Sequence, residues 1–234
     1  MHTNPDSRKL YDTPFSKEYW IQAASEFKNL RVLLFAALMI ALRVALKSVS
    51  IPIAANLRIN VAFFINAYGA MVFGPVVAIA AAAVSDTLGC LLFPSGPYFF
   101  PFIFTEIAGS LIFALFLYRT KVTTLRVTLS RFCIDFFVNI VLNTPIMWLY
   151  YQMVLGRNYA IFDAMRIVKN LVMFPIESVL LVLFLRVTIP PTYKLGYVHS
   201  DADSLRFTKK SIIALSALTA VGIAAVALYV AYRK

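Results

Sequence analysis

Long apolar runs separated by short polar segments dominate the chain. Six runs cover about residues 31–47, 60–73, 75–93, 101–118, 127–151 and 163–187, and a seventh covers 211–229. Since one crossing of a bilayer core of roughly 30 Å takes about 20 helical residues, these runs predict transmembrane helices. The dipeptide Gly74-Pro75 is typical of a tight break between the second and third runs. The pattern predicts an all-α integral membrane protein, a six-helix bundle with a seventh C-terminal transmembrane helix.

The composition agrees with this class. Hydrophobic residues make up 61% of the 234 residues, charged residues only 14%, and the mean hydropathy is +0.78. The net charge of +11 comes from Lys and Arg before the first run, between the fourth and fifth, and after the sixth. The positive-inside rule predicts that these groups and the N-terminus are cytoplasmic, so the charge requires no nucleic-acid partner.

This organisation divides the chain into four parts. They are a cytoplasmic or interfacial segment (1–30), a six-helix membrane domain (31–190), a polar linker (191–210) and the additional helix (211–234). In the first part, Phe15, Tyr19, Ala23 and Phe27 recur at helical spacing, which favours a helix lying along the inner leaflet. The alternative is a polar lead that simply extends the first transmembrane helix.

Polar side chains concentrate in the predicted outer halves of the helices, where each needs a partner or a watery cavity. The polar candidates in the first four runs and the segments that flank them are Arg43, Lys47, Arg58, Asp86, Ser95 and Glu106, and the turn 93–100 adds the aromatic candidates Tyr98 and Phe99. In the fifth run, Arg131, Asp135, Asn139 and Asn143 recur every four residues and predict one polar stripe. Further candidates are Trp148, Arg166, Lys169 and Asn170, and Glu177 shares the face of Arg166 and Asn170.

An outward pocket with cations, carboxylates, amides and aromatic rings suits an amphipathic organic anion that carries a ring. Two alternatives remain open. The polar groups could be interhelical hydrogen bonds and ion pairs, or Asp86, Glu106 and Asp135 could serve an intramembrane enzyme. The chain has no GxxxxGK[ST], HExxH or GxSxG motif, and Cys90 and Cys133 lack metal-site spacing. We therefore predict no enzyme activity, cofactor or metal.

A strip of small residues follows one face of the first transmembrane helix. Ala37, Ala41 and Ala45 recur every fourth residue, so another helix could approach closely there. An internal packing seam explains the same spacing equally well.

Several segments, in their order and spacing, resemble one family. They are SKEYW (16–20), AASEFKNLR (23–31), ALMIALRVAL (37–46), SIPIAANLRINVAFFINAYGAMVFGPVVA (50–78), AVSDTLGCLLFPSGPYFFPFIFTE (83–106), LNTPIMWLYY (142–151) and KNLVMFPIES (169–178). The chain resembles the substrate-binding S components of energy-coupling factor (ECF) transporters, within them the folate branch, over about residues 15–186.

The resemblance implies a subunit in the plasma membrane of a prokaryote that captures a vitamin from outside. Its implied partners are the lipid bilayer, a membrane scaffold subunit and two ABC ATPase subunits. In that family the small-residue strip contacts the scaffold, which here corresponds to Ala37, Ala41 and Ala45. Folate is the predicted substrate; pantothenate and riboflavin are the alternatives within the class.

For folate, each group of candidates takes a role. The two tail carboxylates need cations, for which Arg43, Lys47, Arg58, Arg166 and Lys169 are candidates. The pterin edge needs acceptors and amides, for which Asp86, Glu106, Asn139 and Asn143 are candidates, and Tyr98, Phe99 and Trp148 are candidates for stacking. The chain departs from the family pattern in the segment FPSGPYFFPFIFTE (93–106) and in the seventh helix.

Overall fold

The computed structural model describes residues 9–47, 49–54, 57–94, 96–158, 164–203 and 205–232. Helices dominate it. In chain order the elements are α1 (Lys17–Ser25), a 3-10 turn (Glu26–Lys28), α2 (Leu30–Leu46), β1 (Ser50–Ala54), β2 (Leu57–Asn60), α3 (Ala62–Leu92), α4 (Phe102–Leu117), α5 (Thr124–Cys133), a π-helix (Ile134–Leu142), α6 (Asn143–Met153), α7 (Ala164–Lys194) and α8 (Lys209–Tyr232).

Several helices have the length and composition of membrane spans. Among the described residues, α3, the continuous helix 124–153 and α7 are each long and apolar enough to cross a membrane, and α4 is a shorter apolar helix. The bent pair formed by α1 and α2 counts as one further span. The chain is therefore a multi-pass membrane protein, as its apolar runs predict.

The N-terminal helix α1 is not a straight extension of α2. The axes of the two helices differ by 82°, and Asn29 caps the start of α2 by accepting a hydrogen bond from the Arg31 amide. Tyr19 of α1 is fully buried, and its hydroxyl donates to the Ala114 carbonyl over 3.2 Å. The elbow shows that α1 does not extend α2 in a straight line; its position along the inner leaflet stays a prediction.

Helix α3 reverses direction at Gly74, as the Gly74-Pro75 pair predicts. Gly74 has φ 76° and ψ 175°, the only non-helical residue inside the element. Ala62 and Asp86 both line a cavity of about 60 Å³, although 24 residues of straight helix would separate them by about 36 Å. The two arms, 62–73 and 75–92, therefore lie side by side as the predicted second and third spans.

We predict that Gly74→Ala destabilises the protein by about 1–3 kcal/mol. Its backbone conformation is one that L side chains rarely adopt, and a Cβ would lie 2.8 Å from Cζ of Tyr118. Unfolding in mixed detergent micelles measures the effect. The matched control is Gly109→Ala, because a Cβ there meets nothing within 4 Å. Equal stability of the two variants would contradict the prediction.

The fifth predicted run forms one continuous helix, in which a nine-residue π-helix separates α5 from α6. The wider i→i+5 turn changes which side chains share a face, and such segments are frequent at functional sites. The polar stripe passes through this π-helical segment.

The additional helix α8 packs on the bundle against α5 and α7. The segment before it is less separate than a polar linker implies. Val198 and Leu205 are buried in the core, and the Ser200 hydroxyl accepts a hydrogen bond from the Val122 amide over 3.0 Å. Residues 195–203 and 205–208 thus form part of the packed domain.

Two short strands are an addition to the predicted all-helical architecture. β1 and β2 pair antiparallel between α2 and α3, with Ser50 opposite Asn60. Pro52 lies within β1, and the register shifts between Pro52 and Ala54. The hairpin brings Asn60 to the entrance of α3.

Candidate functional site

A polar cavity of about 250 Å³ lies within the helix bundle. It is lined by residues of α2, β2, α3, α4, α5, the π-helix and α7. They are Arg43, Asn60, Ala62, Phe63, Asn66, Thr105, Glu106, Gly109, Phe113, Arg131, Ile134, Val138, Asn139 and Glu177. Polar groups from seven elements thus converge within an otherwise apolar bundle.

An ion pair joins α2 to α4 at this cavity. Nη2 of Arg43 donates to Oε2 of Glu106 over 2.7 Å. The Arg43 side chain is 10% exposed, whereas that of Glu106 is 41% exposed. Because charged groups inside a membrane bundle need partners, this pair neutralises the buried guanidinium while leaving carboxylate surface accessible.

A second ion pair lies one helical turn further along α2. Nζ of Lys47 donates to Oδ1 of Asp86 over 3.1 Å. Both residues line the smaller cavity, which shares Arg43 and Glu106 with the larger one. The two cavities therefore form one polar region in which cations and carboxylates alternate.

Arg131 forms the deep wall of the larger cavity. Its Nη2 lies 2.9 Å from Oδ1 of Asp135 and also donates to Oε2 of Glu177 on α7. The guanidinium carbon lies 4.8 Å from the centroid of the Phe63 ring. The side chains of Arg131, Asp135 and Glu177 are each 10% exposed or less, so this charge cluster is largely removed from solvent.

Amides and hydroxyls complete the polar lining. The Ser110 hydroxyl donates to Oδ1 of Asn66 over 2.6 Å. Nδ2 of Asn139 donates to Oδ1 of Asp135 over 3.0 Å and lies 3.4 Å from Oδ1 of Asn170. These groups offer both donors and acceptors, which suits a heteroaromatic edge.

The structure brings some of the predicted site residues together. Arg43, Glu106 and Asn139 line the larger cavity, and Lys47 and Asp86 line the smaller one. Asn170 contacts this group through Asn139.

Other predicted site residues lie away from the lining. The Arg166 guanidinium donates to the Thr144 hydroxyl, and Lys169 is exposed. Asn143 and Trp148 are partly buried on α6 and line neither cavity. Ser95 and the side chain of Arg58 lie outside the described part of the chain.

The aromatic turn before α4 packs on α6. Phe99 lies 5.5 Å from Tyr150 and 5.7 Å from Phe102, measured between ring centroids. Tyr98 is 47% exposed. Neither Tyr98 nor Phe99 lines a described cavity, so their predicted stacking role stays a prediction.

Sequence reasoning missed several lining residues. Asn60, Phe63 and Asn66 line the larger cavity but were not among the predicted site residues. Arg131 and Glu177 also line it; the sequence placed them on polar faces but gave them no role in the site. Asn66 carried a usable signal, because an amide inside an apolar span needs a partner. Phe63 carried none, since an aromatic residue in an apolar run is typical of any membrane helix.

The small-residue strip of α2 lies on the protein surface. Ala37, Ala41 and Ala45 are all exposed, together with Leu38, whereas Ala36 is buried. An internal packing seam would require the three alanines to be buried. The strip is thus available to a partner helix.

Comparison with known proteins identifies the family. The model of the family described as "ECF-type riboflavin transporter, S component" matches residues 28–164. The chain is similar to "Folate transporter FolT" of Clostridium novyi (strain NT), with 34% identity over 157 residues, 66% of this chain and 87% of that protein. It is also similar to "Folate transporter FolT" of Leuconostoc mesenteroides subsp. mesenteroides, with 30% identity over 125 residues, 52% of this chain and 66% of that protein.

A solved structure supports the same relationship. "Crystal structure of FolT bound with folic acid" matches with a TM-score of 0.59 and 26% identity, covering 74% of this chain and 99% of that chain. The chain belongs to the S components of ECF-type transporters, and is a membrane transport subunit rather than an enzyme.

Proposed function

We propose that the chain is the folate-binding subunit of an ECF importer. One observation carries this proposal: the fold matches a FolT structure with bound folic acid over 99% of that chain. Two relatives named as folate transporters support it, and the polar cavity offers charges and amides that suit a pterin and a dicarboxylate.

The volume of the cavity indicates which part of a folate molecule it would hold. At about 250 Å³, the cavity falls just below the range of about 300–1,000 Å³ typical of ligand pockets. We propose that it holds the pterin ring, with Glu106 and Asn139 at the ring edge. Asn60 and Asn66 are additional candidates for that edge.

In this arrangement, Arg43 and Lys47 bind the carboxylates of the glutamate tail of folate. Arg43 and Lys47 are spaced one turn apart on α2, and each already contacts a carboxylate. A tail carboxylate would bind each cation beside Glu106 or Asp86, or would take the place of that carboxylate, so each cation keeps a negatively charged partner. Arg58, Arg166 and Lys169 remain candidates further toward the outer end.

We further propose the partners and orientation of the family. A scaffold subunit would pack against Ala37, Ala41 and Ala45, and two ABC ATPases would supply the energy. The N-terminus would be cytoplasmic in the plasma membrane of a prokaryote, as the distribution of Lys and Arg predicts.

Riboflavin is the second candidate, because the matching family model bears that vitamin's name. Titration of the purified full chain in detergent with folic acid, 5-formyl-tetrahydrofolate, riboflavin and pantothenate, followed by calorimetry, separates the candidates. We expect one folate per chain and no heat from the other vitamins. Binding of riboflavin alone would overturn the folate proposal and keep the family.

We predict that Arg43→Ala weakens folic acid binding by about 1.5–3 kcal/mol, the usual loss for a charge-assisted hydrogen bond. The substitution also leaves Glu106 facing the cavity without its cation. Calorimetric titration gives the change in Kd.

The matched control is Arg157→Ala, because Arg157 is exposed and lines neither described cavity. Lys169→Ala tests the outer candidates in the same assay. If Arg43→Ala binds folic acid as tightly as Arg157→Ala does, Arg43 does not contact the substrate carboxylate.

A further inference from the structure

A larger cavity lies at the opposite end of the bundle from the substrate cavity. Its volume is about 520 Å³. Its lining comes from the elbow before α2, the start of α2, the end of the first arm of α3, the second residue after α4 and the segment after α7. The residues are Glu26, Asn29, Arg31, Val32, Val72, Arg119, Leu195, Gly196, Tyr197, Val198 and His199. On α2, Val32 lies 11 residues from Arg43, or about 16 Å along the helix.

The segment after α7, which forms part of the cavity lining, is held by contacts with neighbouring residues. The Tyr197 ring stacks on Phe35 with centroids 5.3 Å apart, and its amide donates to the Thr192 carbonyl over 3.0 Å. Gly196 has φ 78°, and its amide donates to the Tyr193 carbonyl over 3.1 Å. These contacts hold the segment after α7 in place.

The lining carries an excess of positive charge. Nη2 of Arg119 pairs with Oε1 of Glu26 over 3.2 Å, and both side chains are buried. Arg31 is exposed, and among the described residues no carboxylate lies within ion-pair distance of it. His199 adds charge when protonated. With the Arg119–Glu26 pair neutral, Arg31 leaves the cavity cationic.

The lining is also amphipathic. Val32, Val72, Leu195 and Val198 form its apolar part, while Arg31 and Asn29 lie at the start of α2, where the helix dipole adds positive potential. A phosphate group next to Arg31, with apolar atoms against the valines, would match both halves.

We propose that this cavity binds a phosphate-bearing anion, with Arg31 as its main cation. Two sources present that chemistry: the headgroup of an anionic phospholipid and free phosphate. The apolar half of the lining fits the glycerol and upper acyl atoms of a lipid. The site is separate from the substrate cavity and does not depend on which vitamin binds there.

Native mass spectrometry of the full chain with dioleoylphosphatidylglycerol tests the lipid source, and calorimetric titration with inorganic phosphate tests the free anion. Arg31→Ala should weaken binding of the true ligand about fivefold, the usual contribution of one basic residue near an anionic headgroup. Arg31→Lys should restore most of it. The matched control is Arg186→Ala, since Arg186 is exposed on α7 and does not line the cavity.

If Arg31→Ala loses lipid binding and Arg186→Ala keeps it, the ligand is the lipid headgroup. Loss of phosphate binding in Arg31→Ala, with lipid binding unchanged, supports free phosphate. If Arg31→Ala and Arg186→Ala bind both ligands alike, the proposal is overturned. Equal unfolding midpoints of the two variants show that binding is compared between folded proteins.

Discussion

Ala41→Trp should reduce folate transport about fivefold or more and leave folate binding nearly unchanged. Ala41 is exposed between Ala37 and Ala45 on α2, the face that we propose for the scaffold subunit. An indole there prevents close helix approach, and overpacking of about 1–3 kcal/mol corresponds to roughly a 5- to 150-fold loss of complex. Uptake by proteoliposomes that contain the reconstituted importer measures transport, and calorimetry measures binding by the isolated subunit.

Val187→Trp is the matched control for this experiment. Val187 is 74% exposed on α7, so the control adds the same ring to another exposed surface. Its transport should equal that of the unmodified protein. Loss of binding in Ala41→Trp would mean that the strip is needed for folding, and normal transport would place the scaffold contact elsewhere.

The sequence predicts the helical elements well because membrane insertion depends on local composition. The first run, 31–47, corresponds to α2 within one residue at either end. Gly74 breaks the helix because its backbone conformation is accessible mainly to glycine. Both features depend on residues that are adjacent in the chain, so no tertiary information is needed.

The orientation of each helix about its axis is harder to predict. In an apolar span nearly every face is hydrophobic, so periodicity does not show which side turns inward. Arg43 and Glu106 were identified because they are charged, whereas Phe63 was not. The π-helix adds to the difficulty, because a wider turn shifts the faces of every residue that follows it.

The buried charge cluster around Arg131 joins residues far apart in the sequence. The i,i+4 pair of Arg131 and Asp135 is visible in the sequence, and the structure adds Glu177, 46 residues further along the chain. Spacing alone predicts the local pair and gives no sign of the distant carboxylate. The cluster therefore joins α5 and the π-helix to α7 in a way that only the packed fold shows.

Arg131→Ala should lower the free energy of unfolding by about 3–5 kcal/mol, because removing one partner leaves buried charge unpaired. It leaves the carboxylates of Asp135 and Glu177 in a desolvated site with no guanidinium between them. Unfolding in mixed detergent micelles gives the change in the free energy of unfolding.

Combining Arg131→Met with Asp135→Asn and Glu177→Gln should recover most of the stability, since no net charge is then buried. Lys9→Ala is the control, because it removes an exposed ion pair with Glu18 and should leave the unfolding curve unchanged. If the triple variant is no more stable than Arg131→Ala, the loss does not come from unpaired charge.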